Sequence, residues 1–416
     1  MITWMKIAIR NIVKNRRRSL FTILAIAVGY AAVNVFGGFT EYIFKSLQDS
    51  FIYAQGNGHL TIFKKGFLTQ GKLDPFQFML SEAETELIRE LCRKDPRVMV
   101  VTPQLMITGL ISNGSVSTIF VGVGRVPSDL TFVRSRATGM IGRLKLYEGR
   151  NLVDEVPHGV GLSAGLAKKL DLDQGSEAIA MSPTIHGQIN ALDMQVFQVF
   201  HSPYEELDDK LLMAPLDFAQ SLYDTTSADR ITVLLTEDRS TLPMKEHFER
   251  IFVDAGLDVE LMTWKDLSIF YVKVKDMFDI IFLFIFVIVF VIVVMSVVNT
   301  VSMAIMERTQ EIGTLRALGL KRRGIVKLFA IESSVLGLIG SLVGIVFTFV
   351  GWGLVKVIEP SWIPPNIPYR VPLEVHLVPG YMAVSFVFLI LLSVLSAILP
   401  ARKAALKGIV DALGHV

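Results

Sequence analysis

Four stretches of the 416-residue chain contain no Asp, Glu, Lys or Arg: residues 19–40, 280–306, 333–355 and 375–401. Each is long enough to cross a hydrocarbon core, which takes about 20 helical residues. Around them the apolar period changes. Before the first window Met5, Ile9, Ile12 and Val13 recur at helical spacing opposite Lys6, Arg10, Asn11 and Lys14, which predicts a short elbow helix on the inner leaflet within residues 1–18. After it, Phe39, Ile43, Leu47 and Phe51 stand four apart, and before the second window Leu267, Phe270, Val274, Met277 and Ile281 recur at three or four. The pattern predicts two helices that run on beyond the bilayer as a stalk, residues 19–53 and 264–306, with Phe44, Leu47, Phe51, Leu267, Phe270 and Val274 as contacts and a break at the membrane surface as the alternative.

Between these helices residues 54–263 alternate apolar and polar positions at 59–63, 105–111, 117–123, 193–200 and 230–235, which predicts strands. Ser112-Asn113-Gly114-Ser115 suits a hairpin turn between two of them. Ser81 and Glu84 form a capping box for a helix to residue 94, and further helices are predicted over 162–170, 216–223 and 244–255. The expected fold is an α-helical membrane protein with four transmembrane helices and a large extracytoplasmic α/β domain inserted between helices 1 and 2. That domain is expected to form two lobes dividing near Gly149, where Glu148-Gly149-Arg150 reads as loop.

Charge sets the expected orientation, since Lys and Arg close to a span are retained in the cytoplasm. Arg16, Arg17 and Arg18 precede the first span; Arg308, Arg316, Lys321, Arg322, Arg323 and Lys327 separate the second from the third; Arg402, Lys403 and Lys407 follow the fourth. All fall on one side, so both termini and a 307–327 loop are expected in the cytoplasm. Spans over 328–356 and 377–401, a short outer loop at 357–376 and a tail at 402–416 complete the layout. The first window is longer than a secretory h-region and is read as an uncleaved anchor. Hydrophobic residues make up 51% of the chain and mean hydropathy is +0.50, which a soluble core does not require; net charge is only +2, which gives no reason to expect nucleic acid.

The chain has no phosphate-binding GxxxxGK[ST] loop, and its seven histidines show no metal-ligand spacing. No cofactor and no catalytic residue are expected in this chain. Ionisable groups are nearly absent from the spans, Asn34 and Asn299 being their notable polar side chains and Glu332 standing at the start of the third, which argues against an ion-coupled path. Gly337, Gly340, Ser341, Gly344 and Gly351 suit close packing of the third span. Ile312, Leu315 and Leu318 recur every third residue between Glu307, Arg308, Glu311 and Arg316, an apolar ridge expected to be covered by a partner. Phe36, Phe39, Phe278 and Phe282, with Phe44 and Phe284, mark a candidate acyl-chain cavity or simple helix packing.

The run Glu307-Arg308-Thr309-Gln310-Glu311-Ile312-Gly313-Thr314-Leu315-Arg316-Ala317-Leu318-Gly319 resembles the cytoplasmic loop of FtsX-like, MacB-type ABC transporter permeases. The start Ala8-Ile9-Arg10-Asn11 and the ending Pro400-Ala401-Arg402-Lys403-Ala404-Ala405 resemble the same group, in order. The resemblance implies a non-catalytic permease subunit in a bacterial inner membrane, with its large domain periplasmic, working by mechanotransmission. It implies as partners a separate ABC ATPase dimer that binds the ATP and Mg, a second permease subunit in a homo- or heterodimer, and a periplasmic carrier or adaptor. By it, Glu307, Glu311, Ile312, Leu315, Arg316, Leu318 and Gly319 are the ATPase-coupling residues. Layout is closest to the lipoprotein-releasing (LolC/LolE-like) permeases, though the stretch matching their hook, 181–193, is short and 313–319 is nearer the exporters. Lipoprotein or lipid extraction is the expected work, with export of drug or peptide amphiphiles, or transmembrane signalling, as alternatives.

Overall fold

The computed structural model describes residues 2–71, 75–138, 147–202, 205–363 and 370–408. Parts of the short outer loop, 364–369, and of the tail, 409–416, lie outside these. The chain forms two compact units: Met1–Phe44, Val274–Ser361 and Pro372–Val416 make one, and Lys45–Lys273 with Trp362–Val371 the other.

Among the described residues four helices are long and apolar enough to cross a membrane: Arg16–Ala54, Ile269–Glu307, Arg322–Ile358 and Pro379–Leu406. The first three are longer than their charge-free windows because the helix continues into charged sequence at both ends; the fourth starts inside its window, at Pro379, and runs past its end to Leu406. The second breaks where continuity from residue 264 is expected. Trp264–Leu267 is a separate short helix opened by a Thr263–Asp266 capping box, and Ser268 leaves helical geometry before Ile269–Glu307 begins. Glycines set the packing distance of the third span: a Cβ on Gly340 would stand 2.7 Å from Ile26 Cβ, and one on Gly344 2.7 Å from Tyr30 Cβ. Polar side chains join the helices, with Asn34 Nδ2 donating to Ser385 Oγ at 2.8 Å and Thr22 and Thr300 sharing a 2.6 Å hydrogen bond. The elbow helix Ile2–Lys14 rolls Ala8 and Ile12 onto Val335 and Leu336 of the third span; Met5, Ile9 and Val13 stay exposed for lipid.

The second unit is a mixed sheet of ten strands among the described residues: β1 Leu60–Lys64, β2 Val98–Ser112, β3 Ser117–Arg125, β4 Tyr147–Gly149, β5 Gly159–Ser163, β6 Glu177–Pro183, β7 Ile189–Phe200, β8 Leu211–Pro215, β9 Arg230–Leu235 and β10 Val259–Thr263. Their order is β10-β1-β9-β2-β3-β8-β5-β7-β4, with β6 pairing both β2 and β7. The expected β2–β3 turn is present: Asn113 N–H donates to Val116 O and Gly114 sits at φ 91°. The helix expected over 162–170 is corrected to Ala164–Lys169, because residues 162 and 163 finish the fully buried β5.

Two apolar cores flank this sheet, and their boundary is not at residue 149. β4 ends there and pairs with β7, inside the larger core's sheet. The smaller core gathers Leu60, Ile62, Ile88, Val101, Val233 and Phe248 from both ends of the segment; the larger draws on Met79 and on residues from Leu105 to Tyr223. The 15-residue β2 serves both, giving Val101 to one and Leu105, Ile107 and Ile111 to the other, so the lobes are nested rather than consecutive. Helix Glu82–Arg93 opens with the expected Ser81–Glu84 capping box and buries Cys92 in the smaller core. Burial pushes the Cys92 thiol up to about 12, the Asp95 charge adding to it. The native chain is therefore expected to resist iodoacetamide at neutral pH and to react only after denaturation; equal rates in both states would mean this core is open.

Candidate coupling site

The site is built on the connection between the second and third spanning helices. Arg308 leaves helical geometry, and a nine-residue helix, Thr309–Ala317, follows. It ends on a Schellman motif: Leu320 N–H reaches Leu315 O, Gly319 N–H reaches Arg316 O, and Gly319 takes φ 97°. Gly319, expected as a coupling residue, is thus the conformational stop of the helix.

The expected ridge divides. Ile312 is 6% exposed and packs with Ile305, Phe329, Ala401 and Ala404 of the flanking spans, whereas Leu315 is 41% and Leu318 81% exposed. The reason is angular: at 3.6 residues per turn, a three-residue step falls back by about 60°, so Leu318 points about 120° away from Ile312. The charged members divide as well. Arg316 donates from Nη1 to Lys407 O, closing the end of the fourth span, and Glu307 pairs with Arg18 at the start of the first. Glu311 is exposed. The outward face of the helix therefore carries Glu311, Leu315 and Leu318.

Beneath it lies an ion pair that sequence spacing does not single out. Arg308 Nη1 stands 3.4 Å from Glu332 Oε2, with side chains 8% and 9% exposed, and Asn11 of the elbow helix also hydrogen-bonds Glu332. Arg308 Nη2 is buried without a partner. Glu332 drew notice as a polar residue at a span's start, but its partner lies 24 residues away and only the fold brings them together.

Of the candidate cavity residues, Phe36, Phe39, Phe278 and Phe282 do come together. Phe36 stacks with Phe278 at 6.3 Å and Phe282 at 6.2 Å, Phe39 tilts against Phe278 at 6.1 Å, and Phe44 meets Phe278 edge-on at 5.8 Å. The rings fill the space between the two helices with one another, while Phe284 points away, exposed. Among the stalk residues Leu47 and Phe51 are half-buried, Leu267 lies in the short Trp264–Leu267 helix, and Phe270 and Val274 are on the Ile269–Glu307 helix. In the sheet unit Ser163, whose Gly-rich setting superficially resembles a nucleophile elbow, spends its hydroxyl on Asp208 O at 2.6 Å. Asp208 accepts the Gly165 N–H at 2.8 Å, which makes it a loop tie.

Residues 19–251 match the family described as MacB-like periplasmic core domain, and residues 283–409 that described as FtsX-like permease C-terminal. The chain belongs to this family of MacB-like, FtsX-like ABC transporter permeases, and is a multi-pass membrane protein with an α/β domain of the MacB type. The ABC transporter permease YknZ of Bacillus subtilis is 36% identical over 118 residues, 28% of this chain and 27% of that one. The macrolide export ATP-binding/permease protein MacB of Agrobacterium fabrum is 29% identical over 118 residues, 28% of this chain and 16% of that one. The matched stretch thus spans about a quarter or less of these relatives. Among solved structures, the periplasmic region of MacB from Actinobacillus actinomycetemcomitans aligns over 51% of this chain and 92% of its own, with 19% identity and a TM-score of 0.38. The extracellular domain of YknZ aligns over 50% and 100%, with 15% identity and a TM-score of 0.35.

Proposed function

We propose that this chain is the non-catalytic membrane subunit of an ABC transporter, which takes up force from a separate ATPase dimer at the Thr309–Ala317 helix and passes it outward along its first two spanning helices to the sheet domain. The observation that carries the reading is the pair Leu315 and Leu318, left exposed on a short helix whose other face is locked by Ile312 and by Arg308 onto the spans. Glu311 shares that outward face and would be repelled by the anionic inner leaflet, so the reading assigns the cover to a protein. In this reading both termini are cytoplasmic, the sheet domain is periplasmic, and a second permease subunit completes the assembly. ATP and Mg bind to the partner alone.

The proposed cargo is an acylated amphiphile, a lipoprotein or lipid drawn from the bacterial inner membrane and handed to a periplasmic carrier. Spans without Asp, Glu, Lys or Arg in their windows suit a cargo that does not cross through a polar path. Export of drug or peptide amphiphiles through an adaptor is the second reading, favoured by what the Agrobacterium relative's name says of that protein.

Orientation and dependence on the partner are tested together. In a Cys92→Ser background, an impermeant maleimide added to spheroplasts is expected to label Ser115→Cys, in the exposed β2–β3 turn, and to miss Leu318→Cys. The purified chain is expected to hydrolyse no ATP unaided. Reversed labelling, or hydrolysis by the chain alone, overturns the reading.

A further inference from the structure

The first spanning helix does not end as a simple helix does. After Asp49 it widens into a π-helical turn, Ser50–Ala54, and the carbonyls from Ser50 to Gly56 are then satisfied by two different means. Those of Ser50, Phe51, Ile52 and Tyr53 accept the backbone N–H groups of Gln55, Asn57, Gly58 and Gly56. The next three accept side chains of the sheet domain. Ala54 O takes Arg134 Nε at 3.1 Å, Gln55 O takes Arg125 Nη1, and Gly56 O takes Gln104 Nε2 at 3.3 Å. Arg125 comes from the end of β3, Gln104 from β2 and Arg134 from the helix Pro127–Ser135.

The electrostatics are unusual for a cap. Among the described residues no carboxylate hydrogen-bonds Arg125, whose acceptors are the Gln55 carbonyl and Asn57 Oδ1, and its Nε is buried without a partner there. Burial, then the neighbouring charges of Arg134 and Arg230, pull its guanidinium down to about 9, with Asp229 opposing. Asp229 and the carbonyl-bearing, negative end of the helix both favour its charge, and the second contribution acts only over the last turn and only with the helix in place. The chain is shaped to this contact: Gly56 sits at φ 70°, and a Cβ there would stand 2.7 Å from Arg125 Nη1. Two more ties fasten the same turn. Asp49 Oδ1 accepts the Thr138 N–H at 2.9 Å, and Tyr53 donates to Asp238 at 3.3 Å, where His59 Nε2 also binds at 2.8 Å. His59 Nδ1 accepts the Leu235 N–H, so the ring carries its proton on Nε2 and donates it to Asp238.

We propose that Arg125, Arg134 and Gln104 are positioning residues that clasp the end of the first spanning helix and deliver its displacement to β2 and β3 of the sheet domain. An ordinary glycine cap satisfies helix-end carbonyls at no electrostatic cost. Three side chains on three consecutive carbonyls, two of them cations crowded together, fix the direction of the helix end as well as its hydrogen bonding. The inference rests on the force-transmission reading above and adds where force enters the domain.

The test uses the full chain in nanodiscs with the ABC-type ATPase that co-purifies with it, following hydrogen exchange at residues 98–125 before and after trapping with ATP and vanadate. The wild-type chain is expected to show a nucleotide-dependent change there. Arg125→Met is expected to keep ATPase association, hydrolysis and nucleotide-free protection while losing that change, and Arg125→Lys to recover part of it. A full change in Arg125→Met overturns the clasp. Should Arg125→Met lose nucleotide-free protection, Arg134→Gln decides in the same way: an unaltered change there overturns the proposal. A wild-type complex that holds its ATPase and shows no change at 98–125 refutes the transmission reading itself, and the clasp with it.

Discussion

Leu318→Glu is expected to leave the chain folded and inserted but to strip it of its ATPase. Leu318 is 81% exposed and touches none of the chain's own cores, so a carboxylate there meets water in the isolated subunit. In the proposed complex the same position is covered. Losing the burial of one leucine removes about 1.5–3 kcal/mol, roughly ten- to hundredfold in affinity, before the cost of desolvating the new charge is added. Leu315→Glu, at a side chain 41% exposed, is expected to act in the same direction with a smaller effect.

The contrast that gives this prediction its content is Ile312→Glu. Ile312 is 6% exposed among Phe329, Ala401 and Ala404, so a charge there damages the subunit's own packing. Co-purification with the ATPase, read beside a thermal melt of each variant in detergent, separates the cases: Leu318→Glu loses association with an unshifted melt, and Ile312→Glu shifts the melt itself. Wild-type co-purification yields for both Leu315→Glu and Leu318→Glu would reject the docking surface.

How far such residues can be found from sequence depends on the range of the interaction that fixes them. The spans are legible because a charge-free window is a local property, and the Ser81–Glu84 cap because it closes within four residues. β5 escaped because all five of its positions are buried and its sequence does not alternate; in β6 the larger apolar side chains, Ile179 and Met181, face outward while Ala178, Ala180 and Ser182 are buried, so its hydrophobic pattern does not report its buried face. The Ile312–Leu318 spacing marked the element correctly and its outward face incorrectly, since a repeat of three drifts around an α-helix. Nesting of the two cores was hidden because it rests on one long strand shared between them. The clasp is the extreme case: Arg125 lies 70 residues from the carbonyl it holds, and a lone arginine at a strand's end has no motif.

Two ion pairs at the coupling site differ enough in setting to predict opposite outcomes. Arg18–Glu307 is 40% and 43% exposed, where solvent screens the charges, and removing it is expected to cost about 0–1 kcal/mol. Arg308–Glu332 is 8% and 9% exposed, and taking away one partner strands the other. Glu332→Leu is expected to destabilise the membrane unit by about 3–5 kcal/mol, because Arg308 then has neither its carboxylate nor water. Arg308→Met costs less, since Glu332 keeps its hydrogen bond from Asn11. The double variant, Arg308→Met with Glu332→Leu, replaces both charges by apolar groups and is expected to recover most of the loss, as buried pairs exchanged for packed hydrocarbon often do. Denaturation midpoints in mixed detergent micelles measure all three, and a Glu332→Leu midpoint matching that of Arg18→Ala would show that the pair is not buried as described. The double variant carries the further point. Arg308 is the N-cap of the Thr309–Ala317 helix and Glu332 is in the third span, so with stability restored and the charges gone, any remaining loss of ATP-driven change measures what the pair contributes to holding the helix in register.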